Sequence, residues 1–178
     1  MIELYGFIFI VILGTLAHFI YDWSNHNKYL ALLVAVNESV WEHMKLVVLP
    51  SLLWLLIEIP FIGSNSNFMI AKCVSLLTML IFIPCAFYCY KAIFKKDSLL
   101  FDIIEFIVAI GLGQYLSYLI LNINVLPKPL TFISLLIYIF IDGYFLIATL
   151  IPGDSFIYKD PRNNKVGLKA HFDEEKNK

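Results

Sequence analysis

The sequence predicts an all-α protein, a polytopic transmembrane helix bundle of about five spans, and three observations predict it. Of 178 residues, 60% are hydrophobic and only 15% charged, whereas a soluble domain carries about a quarter charged residues. Mean hydropathy is +0.80, more apolar than a water-exposed surface tolerates, so lipid must be the solvent for most of the chain. The apolar residues also gather into runs of the length a helix needs to cross a hydrocarbon core, about 20 residues. A net charge of −1 gives no electrostatic case for nucleic acid as a partner.

The expected spans are residues 2–21, 44–62, 68–90, 99–122 and 130–151. The first opens Met1-Ile2-Glu3-Leu4-Tyr5, with no basic stretch before it and no small-residue cleavage site after it, so it is expected to stay as a span. Residues 24–43 follow as an interfacial or re-entrant segment, because the apolar stretch 29–36 is too short to cross. The second span opens with helix-start signals: Asn37 as N-cap with Val36 and Trp41 as a hydrophobic staple, or Ser39 with Glu42 as a capping box. Pro50 removes a backbone donor and should kink this helix near Leu46. Glu58-Ile59-Pro60 ends it, with Glu58 expected at the interface.

The third span holds all three cysteines, Cys73, Cys85 and Cys89. Cysteines within one apolar run form no disulfide framework and read as small packing residues. The connectors are Gly63-Ser64-Asn65-Ser66-Asn67, Lys95-Lys96-Asp97 and residues 124–129. After Pro152-Gly153 the chain turns polar, which divides it into a bundle, 1–151, and a tail, 152–178. Phe156-Ile157-Tyr158 is expected on the membrane surface, 159–165 as an exposed turn, and 173–178 as disordered. The tail reads as solvated and without a partner.

With five spans, alternate connectors face opposite sides. Of the 13 lysines and arginines, all but Lys72 and Lys128 then fall on one side. Positive charge marks the cytoplasmic face, so the N-terminus is expected outside and the C-terminus in the cytoplasm. Tyr21, Trp23, Tyr29 and Trp41 flank the first inner connector as an interfacial aromatic belt.

Ionisable residues inside apolar spans point to function, because each costs about 2.5–3.5 kcal/mol to insert at the bilayer centre. Gly14, His18 and Asp22 recur every fourth residue on one face of the first span. Glu38, Glu42 and His43 gather at the start of the second. His18, Asp22, Glu38, Glu42 and His43 could hold a divalent metal, and Glu38, Glu42, His43 and Asp142 are candidates for acid–base chemistry. Capping and helix packing explain the same residues without any chemistry. The fourth span presents Asp102, Glu105, Ala109 and Gly113 as a stripe with Ser117 at its margin, and Gln114 off it. The fifth presents Thr131, Tyr138, Asp142 and Thr149, with Asp142 about 14 Å from the inner end. Glu105, Gln114, Tyr138 and Asp142 are thus expected as buried polar groups. Asp142 is expected to be protonated or to pair with Tyr138, Gln114 or His18.

The segment His18-Phe19-Ile20-Tyr21-Asp22-Trp23-Ser24, then Val36-Asn37-Glu38-Ser39-Val40-Trp41-Glu42-His43-Met44-Lys45-Leu46 and Pro50, resembles a bacterial family of small multi-spanning membrane proteins of unknown function. The ending Tyr158-Lys159-Asp160-Pro161-Arg162 with Gly167 is similar to that family's ending. The resemblance implies a multi-pass protein of a bacterial cell membrane. It carries no activity or ligand set.

Three functions stand open on these residues. One is a non-catalytic accessory or regulatory membrane protein, with the polar groups holding helices together. Another is a metal-dependent, membrane-embedded enzyme acting on a lipid or small amphiphile at the inner face. The third is a small cation or proton transporter using Asp142, Glu105, Gln114 and His18. The expected partners are the lipid bilayer and, through the glycine-bearing helix faces, a homo-oligomer or another membrane protein.

Overall fold

The structure, a computed structural model, describes residues 1–96 and 98–170. Five long helices follow one another: α1 Ile2–Trp23, α2 Val40–Ile62, α3 Phe68–Phe94, α4 Leu99–Asn122 and α5 Lys128–Leu150. Short 3-10 turns stand at Leu30–Leu32 and Phe156–Tyr158. Among the described residues no strand forms, and Lys159 and Val166 make an isolated antiparallel bridge. All five helices are long and apolar enough to cross a membrane. They leave large apolar side chains exposed on their outward faces, among them Ile103 on α4 and Ile139, Phe140 and Ile147 on α5. Left unburied by the bundle on helices of spanning length, such faces are those of a multi-pass membrane protein.

α3 is the most buried helix and packs against α2, α4 and α5, while α1 lies against α2 and α4. The α1–α2 contact turns on Gly14. A Cβ there would stand 2.5 Å from the Leu46 carbonyl oxygen and 2.7 Å from the Phe106 ring. Leu46 is the residue whose carbonyl would accept from position 50, and Pro50 has no N–H to give. The orphaned carbonyl is instead turned onto the bare glycine backbone of α1. On α4, Glu105, Ala109, Gly113 and Ser117 are buried as the stripe predicts, and a Cβ on Gly113 would lie 2.9 Å from the Ser75 carbonyl of α3.

The α5 stripe differs from its expectation. Ser134, Tyr138, Ile141, Phe145 and Ala148 are buried, a spacing of alternating fours and threes that keeps one seam on a neighbouring helix. Thr131 and Asp142 flank that seam, so Asp142 is half-buried at the edge of the packing face. It is neither the deepest charge nor bonded to Gln114 or His18. Glu58, expected at the interface, lies one turn before the end of α2 and is fully buried within the bundle. Cys73 is buried, but Cys85 and Cys89 are exposed on the outward face of α3 rather than packed.

Residues 24–39 make no further crossing. Ala31, Val34, Ala35 and Val36 are buried against Ala17, Tyr21 and Leu46 at the end of the bundle. α2 begins at Val40, four residues before the expected 44, because Ser39 caps it: the Glu42 N–H donates to Ser39 Oγ at 3.3 Å. Asn37 takes the other half of the cap, its Oδ1 accepting from the Ser39 N–H at 2.8 Å. Val36 and Trp41 do not staple. Val36 packs with the 31–36 segment, and Trp41 stacks on Phe145 with ring centroids 4.1 Å apart.

The tail, read from the sequence as solvated, is docked through Ala170. Tyr158 packs on Trp41 at 4.7 Å between ring centroids, Asp160 and Ala170 are buried, and Asn37 Nδ2 donates to the Gly167 carbonyl at 3.0 Å. The apolar rings Trp41, Phe145 and Tyr158 supply the driving force, and side-chain amides satisfy the backbone around them. The expectation of disorder for 173–178 lies outside the described residues.

Candidate functional site

At the end of the bundle where α1 finishes and α2 begins, three expected residues meet. His18, Glu38 and His43 each present a ligand atom, all within 4.8 Å of one another. His18 Nε2 is 3.7 Å from Glu38 Oε1, and His43 Nε2 is 3.6 Å from Glu38 Oε2. The two imidazole centroids are 5.6 Å apart. One carboxylate therefore bridges two imidazoles, one oxygen to each.

Local folding explains the convergence. His18 sits one turn beyond Gly14, the point of closest approach between α1 and α2, so its side chain is carried against the first turn of α2. His43 stands in that turn, its N–H donating to the Ser39 carbonyl at 3.1 Å. Glu38 directly precedes the cap and is held from the tail. Its N–H donates to Asp160 Oδ2 at 3.0 Å, and Arg162 Nη2 lies 3.3 Å from its Oε1. Asp160 Oδ1 accepts from the Arg162 N–H at 2.8 Å, which closes a side-chain turn and orients the arginine.

The remaining expected ligands are elsewhere. Glu42 is buried and pairs with Lys45 at 2.9 Å, while its Oε2 also accepts from the Val36 N–H at 3.2 Å. Lys45 Nζ in turn donates to the Ala31 carbonyl at 2.8 Å. Glu42 thus fastens the 31–36 segment to α2 and is not one of the three residues gathered with the histidines. Asp22 faces away, 62% exposed and 3.5 Å from His26 Nε2. Asp142 lines a small cavity of about 60 Å³ together with Lys45. Gln114 lies near the far end of α1, its Oε1 2.9 Å from where a Cβ on Gly6 would stand. Tyr138 is buried on the α5 seam. Of the residues expected on a transport path, His18 and Glu105 line one cavity and Asp142 another.

A larger cavity of about 280 Å³ adjoins the histidines. His18 and His43 form part of its wall, Asp102 and Glu105 of α4 another part, and Phe19, Ile83, Phe87 and Phe106 much of the rest. Reaction at the cluster would take place against an apolar pocket that reaches toward the lipid-facing helices.

Two elements were missed from the sequence. One is Asp160, hidden in what reads as an exposed turn. Its signal was present, since an aspartate before Pro-Arg can bind backbone amides with its side chain. The other is a second charged cluster at the Met1 end, where Lys72 Nζ lies 2.6 Å from Glu3 Oε1 and 2.7 Å from Glu58 Oε2, all three buried. Each of its members lies within about a turn of a helix end, which had made each look interfacial.

The helical bundle and the cluster together define a multi-pass membrane protein with a histidine–carboxylate site at one end. The chain belongs to a family of unknown function, DUF6512, whose sequence pattern matches residues 2–168. No functionally curated protein and no solved structure matches it.

Proposed function

We propose that this chain is a metal-dependent, membrane-embedded hydrolase acting on an amphiphile, with a divalent ion held by His18, His43 and Glu38. The observation that carries the reading is the close gathering of two imidazole nitrogens and one carboxylate beside an apolar cavity. Two histidines and a glutamate with a fourth position open to water make up a ligand set of catalytic zinc sites, with bonds of about 2.0–2.2 Å. The nitrogen–carboxylate separations are 3.7 Å to Oε1 and 3.6 Å to Oε2, so the group, now within 4.8 Å, would draw together around an ion. A bound ion would lower the pKa of its water to near neutrality. An ion held by His18, His43 and Glu38 would thus supply a nucleophile for hydrolysis at the wall of the cavity. The substrate's apolar part would lie in the 280 Å³ cavity. The orientation expected from the lysines puts this site at the cytoplasmic face.

A second reading, a non-catalytic accessory protein, has two observations in its favour. Arg162 already lies 3.3 Å from Glu38, so the cluster could serve as a clasp for the tail. His18 Nδ1 is buried with no partner among the described residues, whereas a metal-bound imidazole usually donates its second N–H.

Metal analysis of the detergent-purified chain, loaded with zinc or manganese and then desalted, separates the two readings. The enzyme reading expects about one ion per chain in the native protein and none in His43→Ala or Glu38→Gln, with helix content unchanged. A native protein that retains no ion after loading overturns it and leaves the clasp.

A further inference from the structure

We infer that the cavity beside the histidines receives an amphiphile bearing a protonated primary amine, recognised by Glu105. The inference rests on reading this cavity as the substrate site and goes further by naming the substrate's polar group.

Glu105 is 6% exposed and lines the cavity, and its Oε2 is buried with no hydrogen-bond partner among the described residues. The other buried glutamates of the bundle each stand beside a lysine: Glu42 holds Lys45, and Glu3 and Glu58 share Lys72, although Glu3 and Glu58 also keep one oxygen without a hydrogen bond. A buried acceptor left unsatisfied carries a desolvation penalty of about 1–3 kcal/mol, more if charged. A bundle that gives three such carboxylates a lysine and leaves the fourth, on a cavity wall, with no cation among the described residues has room for a cation that arrives with a ligand.

The lining says what kind of donor. It includes two carboxylates, Asp102 and Glu105, three residues apart on one face of α4, and no lysine or arginine. An anionic head group would be repelled from this wall, and a neutral alcohol would leave the carboxylate charge unanswered. An ammonium group supplies both the donors and the charge, and Phe19, Ile83, Phe87, Ile103 and Phe106 surround an aliphatic chain. At about 280 Å³ the space is at the small end for ligand pockets. It holds the head and the first part of a chain, with the remainder passing out between helices into lipid. His18 and His43 line the same cavity, so a bond near the amine would be presented to the cluster.

The test is a titration of the full chain in detergent micelles with octylamine, octanol and octanoate, read by calorimetry and by the shift in unfolding temperature. Octylamine is expected to bind at least about tenfold more tightly than the other two, the worth of one charge-assisted hydrogen bond. Glu105→Gln, which keeps shape and removes the charge, is expected to erase that preference. A short-chain phosphatidylethanolamine presents the same amine on a lipid head group: binding like octylamine identifies head groups as the source, and weaker binding identifies single-chain amines. Equal binding of the three octyl probes to the native protein overturns the inference, as does an amine preference that survives Glu105→Gln. Metal content measured on the same samples keeps the two claims apart. An amine preference in a chain that retains no ion sinks only the hydrolase reading, and a loaded ion with no amine preference sinks only this one.

Discussion

The two ends of the bundle both gather carboxylates, buried at one end and part-exposed at the other, and they are built in opposite ways. At the Met1 end, Glu3 and Glu58 close on the ammonium of Lys72, contributed by three different helices and sealed from solvent. At the tail end, Glu38 is bridged to two imidazoles that are charged only when protonated, and its one permanent cation, Arg162, is 57% exposed. The first arrangement uses up its carboxylates in holding α1, α2 and α3 together. The second leaves lone pairs facing groups that a metal ion could share, next to a cavity. The same residue types thus make a strut or a site according to where the cation resides: inside the cluster on a rigid helix, or at its edge on a tail.

The contrast is broken most forcefully at Lys72. Lys72→Met leaves two buried carboxylates without a counter-charge, and removing one partner of a buried pair costs about 3–5 kcal/mol. Arg162→Ala removes a half-exposed partner and should cost no more than about 1 kcal/mol. Denaturant unfolding of both variants in the same detergent checks the difference. Similar losses would mean that the tail-end cluster is as structural as the Met1-end one.

Gly14→Ala probes how the tail-end site is held. The added methyl would meet a backbone carbonyl at 2.5 Å, which cannot rotate aside as a side-chain terminus could. Overpacking of this kind costs about 1–3 kcal/mol. Since His18 is one turn beyond the contact, the variant should also weaken any metal retention without touching a ligand. Gly143→Ala is the control: nothing lies within 4 Å of a Cβ there, and stability should hold or rise by up to about 1 kcal/mol. If both glycines behave alike, the α1–α2 approach does not set the position of His18.

How far the two ends were legible in the sequence follows from what sets them. The spans were readable because lipid imposes a length and a composition that run along the chain. Gly14, the α4 stripe and the cap at Ser39 were readable because a helix turns spacing into a face. The gathering of His18 with Glu38 and His43 was anticipated as part of a wider set. The sequence alone did not separate Glu38 from Glu42, one turn apart, because their roles are decided by partners far from them in sequence or across the helix. Lys45 takes one, and Asp160 with Arg162 takes the other. The Glu3–Lys72–Glu58 triad was missed for the same reason. It joins three helix ends, and each residue by itself resembles an interfacial charge. Asp142 was set on the packing stripe because that stripe was drawn by polarity, whereas the packing seam follows Ile141 and Phe145.

The smallest expected effect concerns the tail that carries Arg162 and Asp160 to the site. Burial, and then the hydrogen bond with Tyr144, holds the Tyr158 phenol up at about 12; the two hydroxyls are 2.9 Å apart. The raised value means that the docked tail favours the protonated phenol. Its contribution is therefore whole below the unfolded value near 10 and is lost as pH rises through about 12. A spin label on Lys169→Cys, in a chain whose exposed Cys85 and Cys89 are replaced by serine, should gain mobility across that window. Other groups ionise there too, lysines among them, so Tyr158→Phe is the needed comparison. It keeps the stacking on Trp41, gives up a hydrogen bond worth about 1 kcal/mol, and should flatten the pH response attributable to this ring. A mobility curve identical in the two proteins would remove the Tyr158 hydroxyl from the docking account and leave the tail held by ring packing on Trp41, by Asp160 and Arg162 at Glu38, and by Asn37.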